Sequence, residues 1–356
     1  MSWVVVVLGF CVLILLHELG HFAVAKWVGM RVEKFSLFFP PTIWSKTKGE
    51  TEYAIGVIPA GGYVRISGMN PSEDLPPEVR DRAYHAQPVW NRMAVIAAGP
   101  LVNFILAFVL LLVFYVAFGP RDIGVGPVEK GYPAYGKLHT RDKILSVDGQ
   151  KVDPATAPSL IARHKCAGKP VNGCRATTPA QLTVLRNGKR ITFTVYPQYD
   201  KRVDRTRVGF AYDDNGPRHA YSFGKAVSTS TDNFWFITRE TVKLPAYIFD
   251  SQKRKEISGI VGTSDVANKA VKNDAADAIF LFAVISLSLA IINLFPFLPL
   301  DGGHIFWAFV EWVRRRPVPY AVMERAGVVG FMLVIGLFIL GLTNDIDRLT
   351  SGTQIR

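Results

Sequence analysis

Charged residues are missing from long parts of the 356-residue sequence, although 20% of all its residues are charged. Apolar residues concentrate in four stretches, 3–16 (continuing past a polar break to 30), 93–118, 278–300 and 326–342. Each is close to the roughly 20 residues that an α-helix needs to cross a bilayer. This distribution argues against a pair of ordinary soluble domains and predicts four membrane-spanning helices.

The first apolar stretch lacks the features of a secretory signal peptide. It has neither a basic segment before it nor a small-residue cleavage site after it, and a signal peptide would have both. We therefore expect this stretch to stay in the mature protein as a membrane helix. The sequence also lacks internal repeats and low-complexity tracts, which argues against a repeat architecture.

The net charge of +12 could indicate a nucleic-acid partner, but the basic residues lie beside the apolar stretches. By the positive-inside rule, the two segments that hold them are cytoplasmic, and the N-terminus, the long middle region and the C-terminus lie outside. We therefore expect the lipid bilayer as a partner and no nucleic acid. The basic residues are Arg31, Lys34, Lys46, Lys48, Arg65, Arg80, Arg82 and Arg92 in the first segment, and Arg314, Arg315, Arg316 and Arg325 in the second.

Cysteine is scarce, with three residues in the whole sequence. Cys11 lies in the first apolar stretch and is interpreted as a small core residue. Cys166 and Cys174 bracket a loop in the outer region. One alternative is a disulfide between them, since that compartment can be oxidising, and the other is a pair of free thiols.

Two regions between the apolar stretches have strand patterns. Residues 52–66 alternate in polarity and carry β-branched residues around Gly61 and Gly62, which predicts strands joined by a turn. Residues 119–197 have the pattern of a small α+β domain, with a hairpin that turns at residues 187–188. Residues 222–276 are mostly helical in pattern and lead into the third apolar stretch.

The pattern H-E-x-x-H occurs in the first apolar stretch, at His17, Glu18 and His21. Helix positions four residues apart share one face, so both imidazoles can bind one Zn²⁺ while Glu18 acts as a general base toward water. Ionisable side chains inside an apolar span are costly and usually mark a functional site. The alternative is that they pair with polar groups on neighbouring helices.

A catalytic zinc ion usually has three protein ligands, and the third apolar stretch offers the remaining one. It ends in NLFPFLPLDGGH at 293–304, where two prolines and two glycines break the helix before and after an aspartate. Irregular backbone at membrane depth is tolerated where protein covers it or where it lines a polar cavity. We predict Asp301 as the third ligand. A helix cap is the alternative role for Asp301, and His304 is the rival ligand.

Together these motifs resemble the site-2 protease family of intramembrane zinc metalloproteases. H-E-x-x-H in the first span and Asn-x-x-Pro followed by Leu-Asp-Gly-Gly in the third carry the resemblance. IPAGGYV at 58–64 is similar to the family's membrane-re-entrant β-hairpin, GPLVN at 99–103 to its second-span motif, and the outer domain to a PDZ domain. Two features depart from the family pattern. The second proline of the third-span motif lies one residue later than in the family's enterobacterial members, and the chain has one PDZ-like domain where several relatives have two.

The resemblance implies an α-helical polytopic membrane protein with four transmembrane helices, a membrane-re-entrant β-hairpin and an inserted extracytoplasmic PDZ-like α+β domain. It implies a bacterial cytoplasmic membrane, with the N-terminus and the PDZ-like domain extracytoplasmic. The predicted divisions are helix 1 with H-E-x-x-H (1–30), the re-entrant hairpin region (31–90), helix 2 (91–118), the PDZ-like domain (119–200), an extracytoplasmic helical linker (201–276), helix 3 with Leu-Asp-Gly-Gly (277–312), a cytoplasmic loop (313–325), helix 4 (326–344) and a C-terminal tail (345–356).

The function implied by the resemblance is zinc-dependent cleavage of single-span membrane proteins within their transmembrane segments, in regulated intramembrane proteolysis. Anti-sigma factors and remnant signal peptides are the implied substrates. The family's zinc ligands carry over to His17, His21 and Asp301, with Glu18 as the catalytic base. Asn293 steadies the oxyanion or holds the substrate backbone; the alternative is that its amide caps the broken helix.

Further binding roles and rival functions stay open. Gly61, Gly62 and Tyr63 are candidates for an edge strand that captures an unwound substrate by β-augmentation, and a plain turn is the alternative. The PDZ-like domain is a candidate site for a peptide C-terminus, with 131–136 as its carboxylate loop. Asn103 is either a contact between helices or a residue near the metal. The rival functions are a catalytically inert membrane-anchored PDZ scaffold and a transporter that uses the buried polar residues.

Overall fold

The computed structural model of the chain describes residues 2–70, 73–248, 250, 254 and 259–351. The helices are α1 (Ser2–Trp27), α2 (Pro77–Arg80), α3 (Val89–Ala117), α4 (Ala157–Ile161), α5 (Phe223–Tyr247), α6 (Ile260–Asn273), α7 (Ala275–Asn293), α8 (Asp301–Arg314) and α9 (Tyr320–Ser351). The strands are β1 (Val32–Lys48), β2 (Thr51–Ile66), β3 (Gly124–Val128), β4 (Lys143–Val147), β5 (Gln150–Lys151), β6 (Ala180–Arg186), β7 (Lys189–Val195), β8 (Gln198–Asp200), β9 (Arg205–Arg207) and β10 (Phe210–Asp213).

The apolar stretches form helices long enough to cross a bilayer. Within the described residues, four segments meet the length and hydropathy of a membrane span: Trp3–Trp27, Val89–Ala117, Ala275–Asn293 and Ala321–Asp347. The prediction of four spanning helices is therefore confirmed at this level. α9 continues to Ser351, so it occupies much of the predicted tail 345–356, of which residues 352–356 lie outside the described residues.

The chain divides into two compact units. Met1–Val116 and Ser222–Arg356 form the first, here called the membrane unit, and Ala117–Tyr221 forms the second, here called the inserted unit. The inserted unit extends past the boundary at residue 200 that the sequence suggested, because β9 and β10 pair back with β8 and β3.

In the membrane unit, β1 and β2 form one antiparallel sheet, and the first half of each strand is paired on both of its sides. Lys34 lies opposite both Glu52 and Arg65, so the first half of β1 runs between the two halves of β2. The second half of β1 pairs with the first half of β2 from Thr42↔Gly56 to Lys48↔Thr51. The result is four antiparallel runs in the order 42–48, 51–58, 34–39, 62–66. The run 62–66 forms one edge, where no further strand of the described residues is paired.

Glycines allow close backbone contacts in the membrane unit, two of them between α1 and α3 and at the break between α7 and α8. A Cβ atom on Gly20 of α1 would lie 2.6 Å from the carbonyl oxygen of Ala98 in α3, so these helices cross with almost no space between them. Small residues at such crossings are typical of membrane helices. At the break between α7 and α8, a Cβ on Gly302 would lie 2.2 Å from the carbonyl oxygen of Leu294. The loop between Asn293 and Asp301 therefore packs directly against the first turn of α8.

The inserted unit is built on the sheet β5-β4-β6-β7, with two small two-stranded sheets, β10-β3 and β8-β9. Its core consists of buried aliphatic side chains, among them Val125, Leu138, Ile144, Val147, Ile161, Leu182, Val184, Val195 and Val208. The hairpin between β6 and β7 turns at Asn187 and Gly188, both at positive φ, as the sequence predicts. Cys166 and Cys174 form a disulfide with their Cα atoms 6.1 Å apart, which settles the alternative that the sequence left open.

Asp142 and Arg186 form an ion pair inside the inserted unit. Asp142 is 1% exposed, Arg186 Nη2 lies 2.6 Å from its Oδ2, and the backbone N–H of His139 donates to Oδ2 at 2.8 Å. Burial alone would raise the pKa of Asp142, but the hydrogen bonds from Arg186 and His139 outweigh burial and hold that pKa below its ordinary value.

Replacing Arg186 with alanine should destabilise the inserted unit by about 3–5 kcal/mol at neutral pH, because it leaves a buried carboxylate without its partner. Since the folded-state pKa of Asp142 is depressed, the pair stabilises fully above the unfolded-state pKa of about 3.9 and stops stabilising as the pH falls through the folded-state pKa. The difference between the variant and the wild type should therefore shrink in acid. Hydrogen exchange of β4 and β6 in the full chain measures this, and the exposed Arg190→Ala is the control. Equal protection in both variants would contradict the assignment.

Candidate metal centre

Three side chains from two distant parts of the membrane unit converge on one point. Nε2 of His17 and Nε2 of His21, one turn apart on α1, lie 3.2 Å from each other. Oδ2 of Asp301, at the start of α8, lies 3.2 Å from Nε2 of His17 and 3.4 Å from Nε2 of His21. Within the described part of the chain, this is the one group of His, Cys, Asp and Glu side chains arranged to hold a metal ion.

The geometry of the three atoms fits a zinc ion. Zinc binds imidazole nitrogen and carboxylate oxygen at about 2.0–2.2 Å in tetrahedral sites, so two of its ligand atoms lie about 3.3 Å apart. The three observed separations match that spacing. Asp301 Oδ2 is buried and makes no hydrogen bond to any described residue, despite the two nearby nitrogens. Orphaned buried oxygens are rare, and a cation at the point of convergence would satisfy this one.

α3 contacts the outer ring nitrogen of both histidines. Nδ1 of His21 lies 2.8 Å from the backbone carbonyl oxygen of Val95, and Nδ1 of His17 lies 3.2 Å from Nδ2 of Asn103. Hydrogen bonds to the outer nitrogen orient a metal-binding imidazole. The sequence placed Asn103 either near the metal or between helices, and the structure places it against His17.

Gly99 of α3 makes room for His21. A Cβ atom at this position would lie 2.3 Å from Nε2 of His21 and 2.6 Å from its Cε1. No role for Gly99 was predicted from the sequence. The contact between His21 and Val95 leaves no sequence signal, because Val95 contributes its main-chain carbonyl. The one available signal for Gly99 was its place in the GPLVN motif.

Glu18 and Asn293 lie beside the three ligand atoms. Glu18 is close enough to His17, His21 and Asp301 to interact with them electrostatically. Asn293, the last residue of α7, has its Nδ2 3.4 Å from Nε2 of His17. The base and the amide that the sequence singled out are therefore both at the site.

The β-sheet also reaches the site through Gly62. A Cβ atom on Gly62 would lie 2.7 Å from Cγ of Glu18, so the edge run 62–66 begins in contact with the candidate base. Gly61 has φ +151°, which favours glycine, and Tyr63 stacks on Phe39 with ring centroids 5.8 Å apart.

Two further candidates from the sequence are His304, which is close enough to Asp301 and His21 to interact with them electrostatically, and the loop 131–136. His304 lies one turn after Asp301 on α8 and is not among the three converging ligands. In the inserted unit, the hydroxyl of Tyr132 donates to Oδ2 of Asp200 at 2.7 Å. The guanidinium carbon of Arg207 lies over the Tyr132 ring, 4.4 Å from the ring centroid. These contacts fix the loop within its own unit.

Comparison with known proteins agrees with this geometry. The model of a protease family, described as "Peptidase family M50", matches residues 5–337. The chain is 29% identical over 350 residues to a protein of Nostoc sp., covering 96% of this chain and 94% of the relative. It is 31% identical over 364 residues to a protein of Brucella suis biovar 1, covering 94% and 92%, and 31% identical over 360 residues to one of Mesorhizobium japonicum, covering 94% and 95%. Each of these relatives is named as a "Putative zinc metalloprotease".

Proposed function

The chain belongs to peptidase family M50 and is a multi-pass membrane zinc metalloprotease, and from this premise we propose that it cleaves single-span membrane proteins within their transmembrane segments. One observation carries the proposal: the three converging ligands lie on the apolar helix α1 and at the break that follows the apolar helix α7. A protease centre that is carried by membrane-spanning helices acts on peptide bonds that lie in the bilayer.

The chemistry follows from the side chains at the centre. His17, His21 and Asp301 would hold the zinc ion, which when bound supplies Lewis-acid activation of water and of the scissile carbonyl. Glu18 accepts the proton of the attacking water on its carboxylate and returns it to the leaving amine. Asn293 is placed to donate its amide hydrogen to the developing oxyanion.

A substrate helix must be partly unwound before it can be cut, because its peptide groups are hydrogen-bonded within the helix. The sheet edge 62–66 can hold the unwound segment by β-augmentation, in which main-chain hydrogen bonds add a strand to an exposed edge. Because Gly62 touches Glu18, a strand added there lies beside the catalytic base. We therefore propose that the sheet of β1 and β2 is the membrane-re-entrant element, with Gly61, Gly62 and Tyr63 as substrate contacts.

The inserted unit is proposed to be a PDZ-like domain on the outer side of a bacterial cytoplasmic membrane, with the N-terminus on that side too. The disulfide between Cys166 and Cys174 supports this side, since disulfides persist in oxidising compartments. The basic residues of the two links between spans support the same orientation. A peptide C-terminus is the proposed ligand of the domain, and anti-sigma factors or remnant signal peptides are the proposed substrates in regulated intramembrane proteolysis.

The proposal is tested with the purified full chain in detergent and a panel of single-span proteins. Mass spectrometry of the products should place the cut within the transmembrane segment, and a zinc chelator should stop the reaction. Substrates with helix-breaking residues in that segment should be cut faster than matched substrates without them. Cuts only outside the segment, or cleavage that is indifferent to the chelator, would refute the proposal. Metal-independent ion flux through the reconstituted protein would instead support a transporter.

A further inference from the structure

The amide of Asn103 is a buried polar group that the chemistry above does not use. Asn103 is 0% exposed, and its Nδ2 lies 3.2 Å from Nδ1 of His17. Its Oδ1 is buried too, with no hydrogen-bond partner in the part of the chain that the structure describes. Buried polar atoms are almost always hydrogen-bonded, so we expect Oδ1 to have a partner. The ring of His17 is the polar group next to this amide.

The two histidines must each offer Nε2 to the same ion. A neutral imidazole has one proton, on Nδ1 or on Nε2. For His21 the proton belongs on Nδ1, because the nearby carbonyl oxygen of Val95 can only accept a hydrogen bond. Nε2 of His21 is then free to bind a metal. His17 needs the same tautomer, since its Nε2 is the atom that lies 3.2 Å from Asp301 Oδ2.

The orientation of the Asn103 amide decides the tautomer of His17. A half-turn about the last side-chain bond exchanges the positions of the amide nitrogen and oxygen. With Nδ2 toward His17, the amide donates to Nδ1 and the ring proton sits on Nε2, where it blocks ligation. With Oδ1 toward His17, the oxygen accepts from Nδ1–H, which leaves Nε2 free and gives the orphaned oxygen a partner. The second orientation therefore pairs the ring Nδ1–H of His17 with the amide oxygen of Asn103, and the amide NH₂ takes the position that Oδ1 held.

We infer that Asn103 is a positioning residue whose amide oxygen holds His17 in the tautomer that offers Nε2 to the metal ion. The inference rests on the proposed zinc centre and adds a residue to it. α3 then orients both imidazoles, His21 through the Val95 carbonyl and His17 through Asn103. Removing such a hydrogen bond typically lowers metal affinity by about 10–100-fold.

Zinc affinity of the full chain in detergent tests the inference without relying on activity. The metal is removed with a chelator, and Zn²⁺ is titrated back in competition with a chromophoric chelator. Asn103→Leu should bind zinc about 10–100-fold more weakly than the wild type. Asn103→Asp should restore most of the affinity, because a carboxylate also accepts from Nδ1–H. Ser286→Ala is the matched control: Ser286 is buried and donates to the backbone oxygen of Asn103 at 3.0 Å, so it tests packing around Asn103 without changing the amide.

Wild-type affinity in Asn103→Leu, or an equal loss in Asn103→Leu, Asn103→Asp and Ser286→Ala, would overturn the inference. If Asn103→Leu does not fold, nitrogen-15 NMR of histidine-labelled, zinc-loaded protein decides the question. His17 should bind metal through Nε2, and its Nδ1 signal should shift in Asn103→Asp, where a carboxylate replaces the amide oxygen, but not in Ser286→Ala. Ligation through Nδ1, or an Nδ1 signal that is the same in Asn103→Asp and the wild type, would refute the role of Asn103. A wild type that binds no zinc would refute the proposed function itself, so the two failures are distinguishable.

Discussion

Replacing Glu18 with glutamine should lower the rate of intramembrane cleavage by roughly 10²–10⁴-fold, the usual contribution of a general base. Glutamine has nearly the shape of glutamate but cannot accept the proton of the attacking water. Glu18 is not one of the three converging ligands, so the variant should still bind one zinc ion per chain. Product formation from a single-span substrate and zinc content, measured on the same preparation, check both statements.

The double readout separates this prediction from two other outcomes. If Glu18→Gln cleaves at the wild-type rate, Glu18 is not the base, and the inert-scaffold alternative gains support if the wild type is inactive as well. If the variant loses both activity and zinc, Glu18 acts through the metal site and not through the proton. Only loss of cleavage with retained zinc agrees with the mechanism.

Replacing Gly99 with alanine should damage the metal centre, although Gly99 offers no side chain to it. The added Cβ would lie 2.3 Å from Nε2 of His21, closer than two such atoms can approach. His21 is held by its hydrogen bond to Val95, so the ring must leave either that bond or its place near Asp301. We expect zinc affinity to fall by at least about 10-fold, by comparison with the loss of an orienting hydrogen bond, and cleavage to fall with it.

Gly336→Ala is the matched control for this substitution. Gly336 lies in α9, another apolar helix, and a Cβ there would have no described atom within 4 Å. Both variants add one methyl group to a membrane helix, but only Gly99→Ala adds it against a ligand. Zinc affinity and cleavage should be unchanged in Gly336→Ala. Full zinc affinity in Gly99→Ala would show that the position of His21 matters less than the geometry implies.

The residues at the centre could be found from sequence because each carries a local signal. His17 and His21 are separated by one helical turn, and Asp301 lies between the two prolines and the two glycines that break an apolar stretch. The spans were equally accessible, since hydropathy over about 20 residues reports directly on membrane crossing. These features depend on neighbours in the chain, so a single sequence contains them.

The remaining features depend on contacts between distant segments. The double pairing of β1 and β2 was not predicted, because alternation within 52–66 does not reveal that Lys34 has partners on both sides. The inserted unit ends at Tyr221, beyond the predicted boundary at residue 200, because β9 and β10 are only three and four residues long and β10 pairs with β3, far back in the chain. Val95 acts through its main chain, and Gly99 acts through an absent side chain, so neither leaves a recognisable residue pattern.

Zinc content of purified wild-type chain and of the single variants His17→Ala, His21→Ala, Asp301→Ala and His304→Ala tests the central claim most directly. The geometry predicts one zinc ion per chain in the wild type and in His304→Ala, and strongly reduced zinc in the other three. His304 is the fitting control because it is a histidine on the same helix as Asp301 and lies outside the converging group. Retention of zinc by Asp301→Ala together with its loss from His304→Ala would show that the third ligand, and with it the proposed centre, is wrong.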